Sequence, residues 1–128
     1  MTHWISIEEG TYEAEGAFLV TPDHSAVTLD DVLLEVYMDG AQQRRLRGSA
    51  MVVNLLMVEL LEDNDRIDLL LDLGGEFQYL LQEPLLRAGK VFAPDVKSLL
   101  QFVAQNPSQK LVGDQYQAIR SRLVLLDR

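Results

Sequence analysis

The clearest sign of a sheet lies in residues 63–73, DNDRIDLLLDL. An apolar residue stands at every second position from Ile67 to Leu73, which is the period of a strand with one buried face. The Asp-Asn-Asp run before it is typical of a tight turn, because short acidic and amide side chains bond to their own backbone. We therefore predict a hairpin over residues 57–73 that ends at Gly74-Gly75.

The strand pattern extends toward the N-terminus. Residues 3–7 and 12–20 alternate loosely, and residues 21–25, Thr-Pro-Asp-His-Ser, predict a turn. Residues 28–40 fit both a helical apolar stripe and an alternation that ends in the hairpin signal Asp-Gly, and the strand is favoured for the end of that segment. Residues 50–62 are largely apolar and fit a buried helix as well as a strand, because period alone does not separate the two.

The C-terminal half predicts helices over residues 76–82, residues 94–104 and the segment that begins at Gly113. The middle helix is the clearest, because proline suits a first turn and the apolar residues recur at intervals of three and four. Its apolar stripe consists of Val96, Leu99, Leu100 and Val103, and the stripe of the last helix consists of Tyr116, Ile119, Leu123 and Leu126.

These patterns predict an α+β fold, in which an N-terminal antiparallel β-sheet carries C-terminal helices packed on one face. The alternative is a mainly α-helical domain. With no repeat, low-complexity tract or linker, one domain over residues 1–128 is expected. The 23 leucines favour a packed core, and they suggest that a second copy covers further apolar surface in a two-fold homodimer.

Composition also bears on the compartment. The chain has no cysteine, which fits a reducing environment, and its first residues lack the basic and apolar regions of a secretory signal. Its longest dense apolar stretch, residues 50–61, is too short to span a bilayer. We therefore expect a soluble, cytoplasmic protein without a membrane partner.

The net charge of −9 resides in the N-terminal third. The first 43 residues contain nine carboxylates and no lysine or arginine, whereas acids and bases balance in the rest of the chain. Such a field repels polyanions and attracts basic proteins. The acids expected to contact a basic partner are Glu8, Glu9, Glu13, Glu15, Asp30 and Asp31.

Two short motifs resemble the signatures of functional sites. Gly-Gly-Glu-Phe, residues 74–77, resembles part of the diguanylate cyclase signature, but the chain has one acid where that family has two, so we interpret it as a glycine break after a strand. Asp63-x-Asp65 resembles the opening of a calcium loop, yet the fifth, sixth and twelfth positions are Ile67, Asp68 and Gly74. We expect no metal, no cofactor and no catalytic residue.

The leading hypothesis is a non-catalytic module that docks a basic protein, as acidic immunity proteins, antitoxins and secretion chaperones do; this comparison rests on composition. The first alternative is a nucleic-acid-associated regulator that uses Arg44, Arg45, Arg47 and the basic C-terminal helix. The second is a small metal-dependent enzyme that uses the acids Asp63, Asp65 and Asp68 of the predicted hairpin.

Overall fold

The structure, a computed structural model, describes residues 8–75, 77–88, 97–105 and 109–126. Within these residues the chain forms eleven strands and two helices. In chain order they are β1 (Gly10–Glu13), β2 (Gly16–Val20), β3 (Ser25–Thr28), β4 (Asp30–Met38), β5 (Arg44–Val53), α1 (Asn54–Asp63), β6 (Asp68–Asp72), β7 (Gln78–Leu81), β8 (Leu85–Ala88), β9 (Lys97–Val103), β10 (Gln109–Leu111), α2 (Gln115–Arg120) and β11 (Val124–Leu125).

The strands form two sheets. Sheet A has the order β1-β4-β5-β9-β8, and sheet B has the order β10-β7-β6-β2-β3-β11. Neighbouring strands are antiparallel except for β11, which runs parallel to β3. One core joins the inner faces of both sheets, since Leu34 and Phe102 of sheet A cluster with Leu19, Leu69 and Tyr79 of sheet B. The arrangement is a β-sandwich.

The chain passes from one sheet to the other twice at a shared corner, between β1 and β2 and again between β3 and β4. The backbone amide of Ala14 donates to Val32 O in sheet A (3.0 Å), and the next amide, that of Glu15, donates to Asp72 O in sheet B (2.7 Å). Beside them, Leu29 separates β3 from β4, and its amide donates to Ala17 O (3.0 Å). Strands that switch sheets in this way close one side of a sandwich.

A second apolar cluster lies on the outer face of sheet B. Phe18, Leu70 and Leu111 are buried there. They are covered by the C-terminal segment, whose contributing side chains are Tyr116, Ile119, Leu123 and Leu125. The predicted last helix is therefore present only over Gln115–Arg120. Of its predicted stripe, Leu123 and Leu126 lie outside the helix, and Leu126 is 37% exposed.

The predicted fold class is nevertheless wrong, and so is the mainly helical alternative, because the described chain is mostly strand with two short helices. Of the segment predicted as the clearest helix, residues 97–103 are strand β9. Leu100 and Phe102 face the core, while Leu99 is 48% exposed, so the buried positions follow a period of two. Residues 78–81, predicted as helix, are strand β7.

The predicted hairpin over residues 57–73 is half wrong. Its second strand is present as β6, but its first half belongs to helix α1. Met57 and Leu60, three positions apart, are buried in the core, whereas Leu55 and Leu61 are exposed. Spacing of three thus governs burial here, as expected of one helix face packed on a sheet.

The shorter signals are confirmed. Residues 21–24 of the predicted turn connect β2 to β3, which begins at Ser25, and the Asp-Gly pair at 39–40 opens the β4–β5 hairpin. Residues 30–38 are strand, which removes the helical alternative for most of that segment. The predicted strand over residues 3–7, residues 94–96 of the predicted helix and Glu76 lie outside the described residues.

Candidate functional site

The outer face of sheet A, which we call the open face, carries two rows of side chains that cross all five strands. Antiparallel register aligns directly opposed residues on the same face. The first row consists of Thr11, Glu35, Arg47, Val103 and Leu85, and the second consists of Glu13, Leu33, Ser49, Gln101 and Arg87. In the part of the chain that the structure describes, no helix or loop buries these rows as α2 buries the outer face of sheet B.

The open face combines exposed leucines with a depression. Leu33, Leu85 and Leu99 are 46%, 56% and 48% exposed, although leucine is a residue that folding normally buries. The two rows surround a depression of about 500 Å³, to which all five strands contribute lining residues. Exposed leucines beside a depression are typical of a surface that binds another molecule.

Two features of the backbone shape this depression. The β4–β5 register shifts between Asp30 and Leu33, and Asp31 has a φ of 50°. Such a bulge bends a strand and increases its twist. On β5, Gly48 permits close packing, since a Cβ there would lie 2.3 Å from the carbonyl oxygen of Leu33 and 2.7 Å from the ring of Phe102.

An ion pair crosses the centre of the first row. Arg47 Nε donates to Glu35 Oε1 at 2.7 Å, and the Arg47 guanidinium lies 4.3 Å from the ring centroid of Tyr37. The hydrogen bond from Arg47 lowers the pKa of the Glu35 carboxyl and raises that of the guanidinium. Both side chains are about half exposed, so the pair orders the surface more than it stabilises the fold.

A second acid–base pair closes the end of the β4–β5 hairpin. The Asp39 carboxylate accepts the backbone amides of Ala41 (2.8 Å) and Gln43 (3.1 Å) and lies 3.5 Å from Arg45 Nη1. The amide of Gln43 makes the largest contribution to lowering the pKa of Asp39, followed by Ala41 and then Arg45. The role of this carboxylate is therefore to hold the turn between β4 and β5.

The acids predicted to contact a partner separate into two groups. Asp30 forms an ion pair with Lys97 at 2.5 Å across β5. The other five are exposed and, among the described residues, form no ion pair. They lie before, within and directly after β1, or at the bulge beside it, and we call them the acidic edge: Glu8, Glu9, Glu13, Glu15 and Asp31.

Contacts within the structure place three members of the acidic edge. The Tyr12 hydroxyl donates to the Glu8 carbonyl oxygen at 2.6 Å, which holds the chain before β1 against the strand. Glu13 and Asp31 border a depression of about 330 Å³. Glu13 also belongs to the second row of the open face, so the acidic edge is one border of that face.

The arginines of the nucleic-acid hypothesis do not form one exposed patch. Arg47 and Arg45 pair with acids of the N-terminal third, and Arg45 Nη2 also donates to Ala104 O at 3.0 Å. Arg44, the neighbour in sequence, is half-buried. In the C-terminal helix, the Arg120 guanidinium lies 4.6 Å from the ring centroid of Phe18 and packs on sheet B.

The acids of the enzyme hypothesis are similarly dispersed. Asp65 is exposed, whereas the Asp68 carboxylate lies 3.3 Å from Arg66 Nε and accepts the amide of Glu83 at 2.9 Å. Asp63 ends helix α1 rather than a strand. Across the described ranges, no group of three or more acidic or histidine side chains could hold a metal ion.

Comparison of this chain with known protein families, with curated proteins and with solved structures finds no match. A search of the described residues finds no helix whose length and apolar character would let it cross a membrane. The geometry of the open face and of the acidic edge therefore carries the functional argument alone.

The exposed leucines of the open face were missed by the sequence reasoning. Leu99 was placed on a buried helical stripe, and Leu33 on a stripe that fitted helix as well as strand. A signal for β9 was present, since Leu99, Gln101 and Val103 alternate with Leu100 and Phe102. That alternation separates two faces but does not reveal which of them stays uncovered.

Proposed function

We propose that this chain is a non-catalytic protein-binding module that docks a basic protein partner on the open face and its acidic edge. The carrying observation is that exposed leucines lie on an outer sheet face that no described residue covers, with the unpaired acid Glu13 on the same face. Leu33 stands next to Glu13 in the second row, so the apolar and the acidic contacts are adjacent.

The apolar part of the surface supplies the affinity. Leu33 and Leu85 line the depression, so a partner side chain that fills it would remove their apolar surface from water. Leu99 is exposed on the same face, on strand β9. Each square ångström so buried contributes about 25 cal/mol.

The acidic edge supplies the preference for a basic partner. Its carboxylates have no internal counter-ion among the described residues, so their field extends into solvent. Such a field accelerates association with an oppositely charged protein, and salt screens it. The absence of cysteine is compatible with the cytoplasm, which we propose as the compartment.

The test begins with a stoichiometric partner isolated from the native host and uses its association and dissociation rates. Changing Glu8, Glu9, Glu13 and Glu15 to glutamine should slow association several-fold at low salt and have little effect at high salt. A control with the same charge loss changes four exposed acids elsewhere, Glu59→Gln, Glu62→Gln, Asp65→Asn and Glu83→Gln. The control should have the smaller effect.

The leucines are tested separately. Leu33→Ser combined with Leu99→Ser should leave the association rate nearly unchanged and increase the dissociation rate, because short-range contacts determine how long a complex lasts. An association rate that is unchanged by salt and by replacement of the four glutamates with glutamine would contradict the proposal. Co-purified nucleic acid without a protein partner would instead favour the regulatory hypothesis.

A further inference from the structure

The backbone of β1 has one paired edge and one edge that faces away from sheet A. Ala14 stands opposite Val32 in the ladder, and its amide donates to Val32 O. In an antiparallel pair, residues alternate between those that bond across the ladder and those that do not. The amides and carbonyls of Thr11 and Glu13 therefore point away from β4.

The sheet switch confirms which side this is. Glu15 has the same parity as Thr11 and Glu13, and its amide donates away from sheet A, to Asp72 O. Among the described residues, none forms a hydrogen bond with the backbone of Thr11 or Glu13 on the side that faces away from β4. Three of the four residues of β1 are exposed. An unpaired strand edge of this kind is a template for another strand.

The charges around this edge determine which kind of strand would pair with β1. A second copy of the chain would bring its own acidic edge against this one, and like charges directly opposed are unfavourable. A strand that carries lysine or arginine would instead place a cation beside Glu13, which points to the open face. On the other face of β1, Tyr12 packs against the core cluster, so apolar side chains suit that side of an added strand.

Building on the proposed function, we propose that β1 accepts an extended basic segment of the partner as a sixth strand of sheet A. The segment alternates basic with apolar residues, since successive side chains of a strand point to opposite faces. The basic residues face Glu13 on the open face, and the apolar residues face Tyr12. The unpaired backbone supplies the binding mode, and the acidic edge supplies the sequence preference.

The probe is a capped ten-residue peptide of alternating lysine and valine. It is compared with a glutamate-for-lysine analogue and with a third peptide whose alternate backbone amides are N-methylated. The lysine peptide should bind, and it should slow hydrogen exchange at the amides of Thr11 and Glu13. The N-methylated peptide should bind roughly tenfold more weakly, because it keeps the charge and loses the backbone hydrogen bonds.

The matched protein variants are Thr11→Pro and Thr11→Val. Proline removes one outward amide and changes no charge, and it is tolerated on strand edges that face solvent. Valine keeps the amide and removes only the hydroxyl. Thr11→Pro should weaken the lysine peptide by roughly tenfold, as expected for a lost hydrogen bond together with a blocked edge, while Thr11→Val should bind normally.

The outcomes separate the two proposals. Equal binding of the methylated and unmethylated peptides would overturn strand addition, even if Thr11→Pro failed to fold. Slow exchange of both amides in the free protein would also overturn it, because the edge would already be occupied. If strand addition fails while the four-glutamine variant still slows association with the partner, the proposed function stands without this inference.

Discussion

Sheet A and sheet B both carry large apolar side chains on their outer faces, but among the residues that the structure describes only those of sheet B are covered. Leu70 on the outer face of sheet B is fully buried, whereas Leu99 on that of sheet A is 48% exposed. Residue type is the same in both places. What differs is whether the described part of the chain supplies a covering element, so we propose the face without one as the place where an external partner completes the packing.

The cover over sheet B is small and depends on its contacts. Helix α2 has six residues, too few to be stable alone in water. It is held by the strand that follows it, because the amides of Val124 and Leu126 donate to the carbonyl oxygens of His24 (2.8 Å) and Ala26 (2.9 Å). A short segment that pairs with an edge strand can therefore cover the apolar cluster on the outer face of a sheet. A partner segment could do the same for sheet A.

The largest expected effect comes from comparing equivalent leucines on the two faces. Leu70→Ala should cost about 2–5 kcal/mol, because it leaves a cavity beneath the C-terminal segment. Leu99→Ala should cost less than about 1 kcal/mol, because its side chain already contacts water. Urea unfolding of both variants measures the difference.

Equal losses at the two positions would mean that sheet A is covered in solution. The protein concentration then identifies the cover. A cost at Leu99 that grows with concentration would point to a second copy, in agreement with the predicted homodimer, because association adds its free energy to folding. A cost independent of concentration would point to another segment of the chain.

The next effect concerns the strand that forms the floor of the depression. Gly48→Ala should destabilise the protein by about 1–3 kcal/mol, because the new methyl group meets the Leu33 carbonyl and the Phe102 ring. Gly40→Ala is the matched control, since a Cβ at Gly40 has nothing within 4 Å. Thermal unfolding of both variants compares them, and similar midpoints would contradict the tight packing of β5 against β9.

Local patterns identified the strands whose sequence excludes other structures. Residues 67–73 alternate and follow a turn, so β6 was predicted. The segment around Leu99 and Leu100 fits either period, because two adjacent apolar residues belong to a helical stripe as readily as to the two faces of a strand. The pairing of β9 between β5 and β8 makes it a strand, and its pairing with β5 joins residues more than forty positions apart in the sequence.

The site was predictable only in its charge. The acids of the N-terminal third were recognised, and five of them do share one edge of the sandwich. The pairing of Glu35 with Arg47 depends on the β4–β5 register, which local sequence does not supply. The exposed leucines depend on the absence of a cover, which is a property of the whole fold.

The smallest expected effect tests the cover over sheet B by pH. Burial, followed by the charge of Asp72, raises the pKa of the Tyr116 phenol above its ordinary value of about 10. A group whose pKa is raised on folding contributes stability below the unfolded pKa and loses it as the pH rises through the folded value. The free energy of unfolding should therefore decrease above pH ~10, and Tyr116→Phe should reduce that decrease.

Tyr37→Phe on the open face is the matched control, because it leaves the C-terminal segment untouched, and it should follow the unchanged protein. Urea unfolding between pH 8 and pH 11 measures all three proteins. If Tyr116→Phe loses stability as steeply as the others, Tyr116 is not buried against sheet B, and the contrast between the two outer faces would be smaller than the structure indicates.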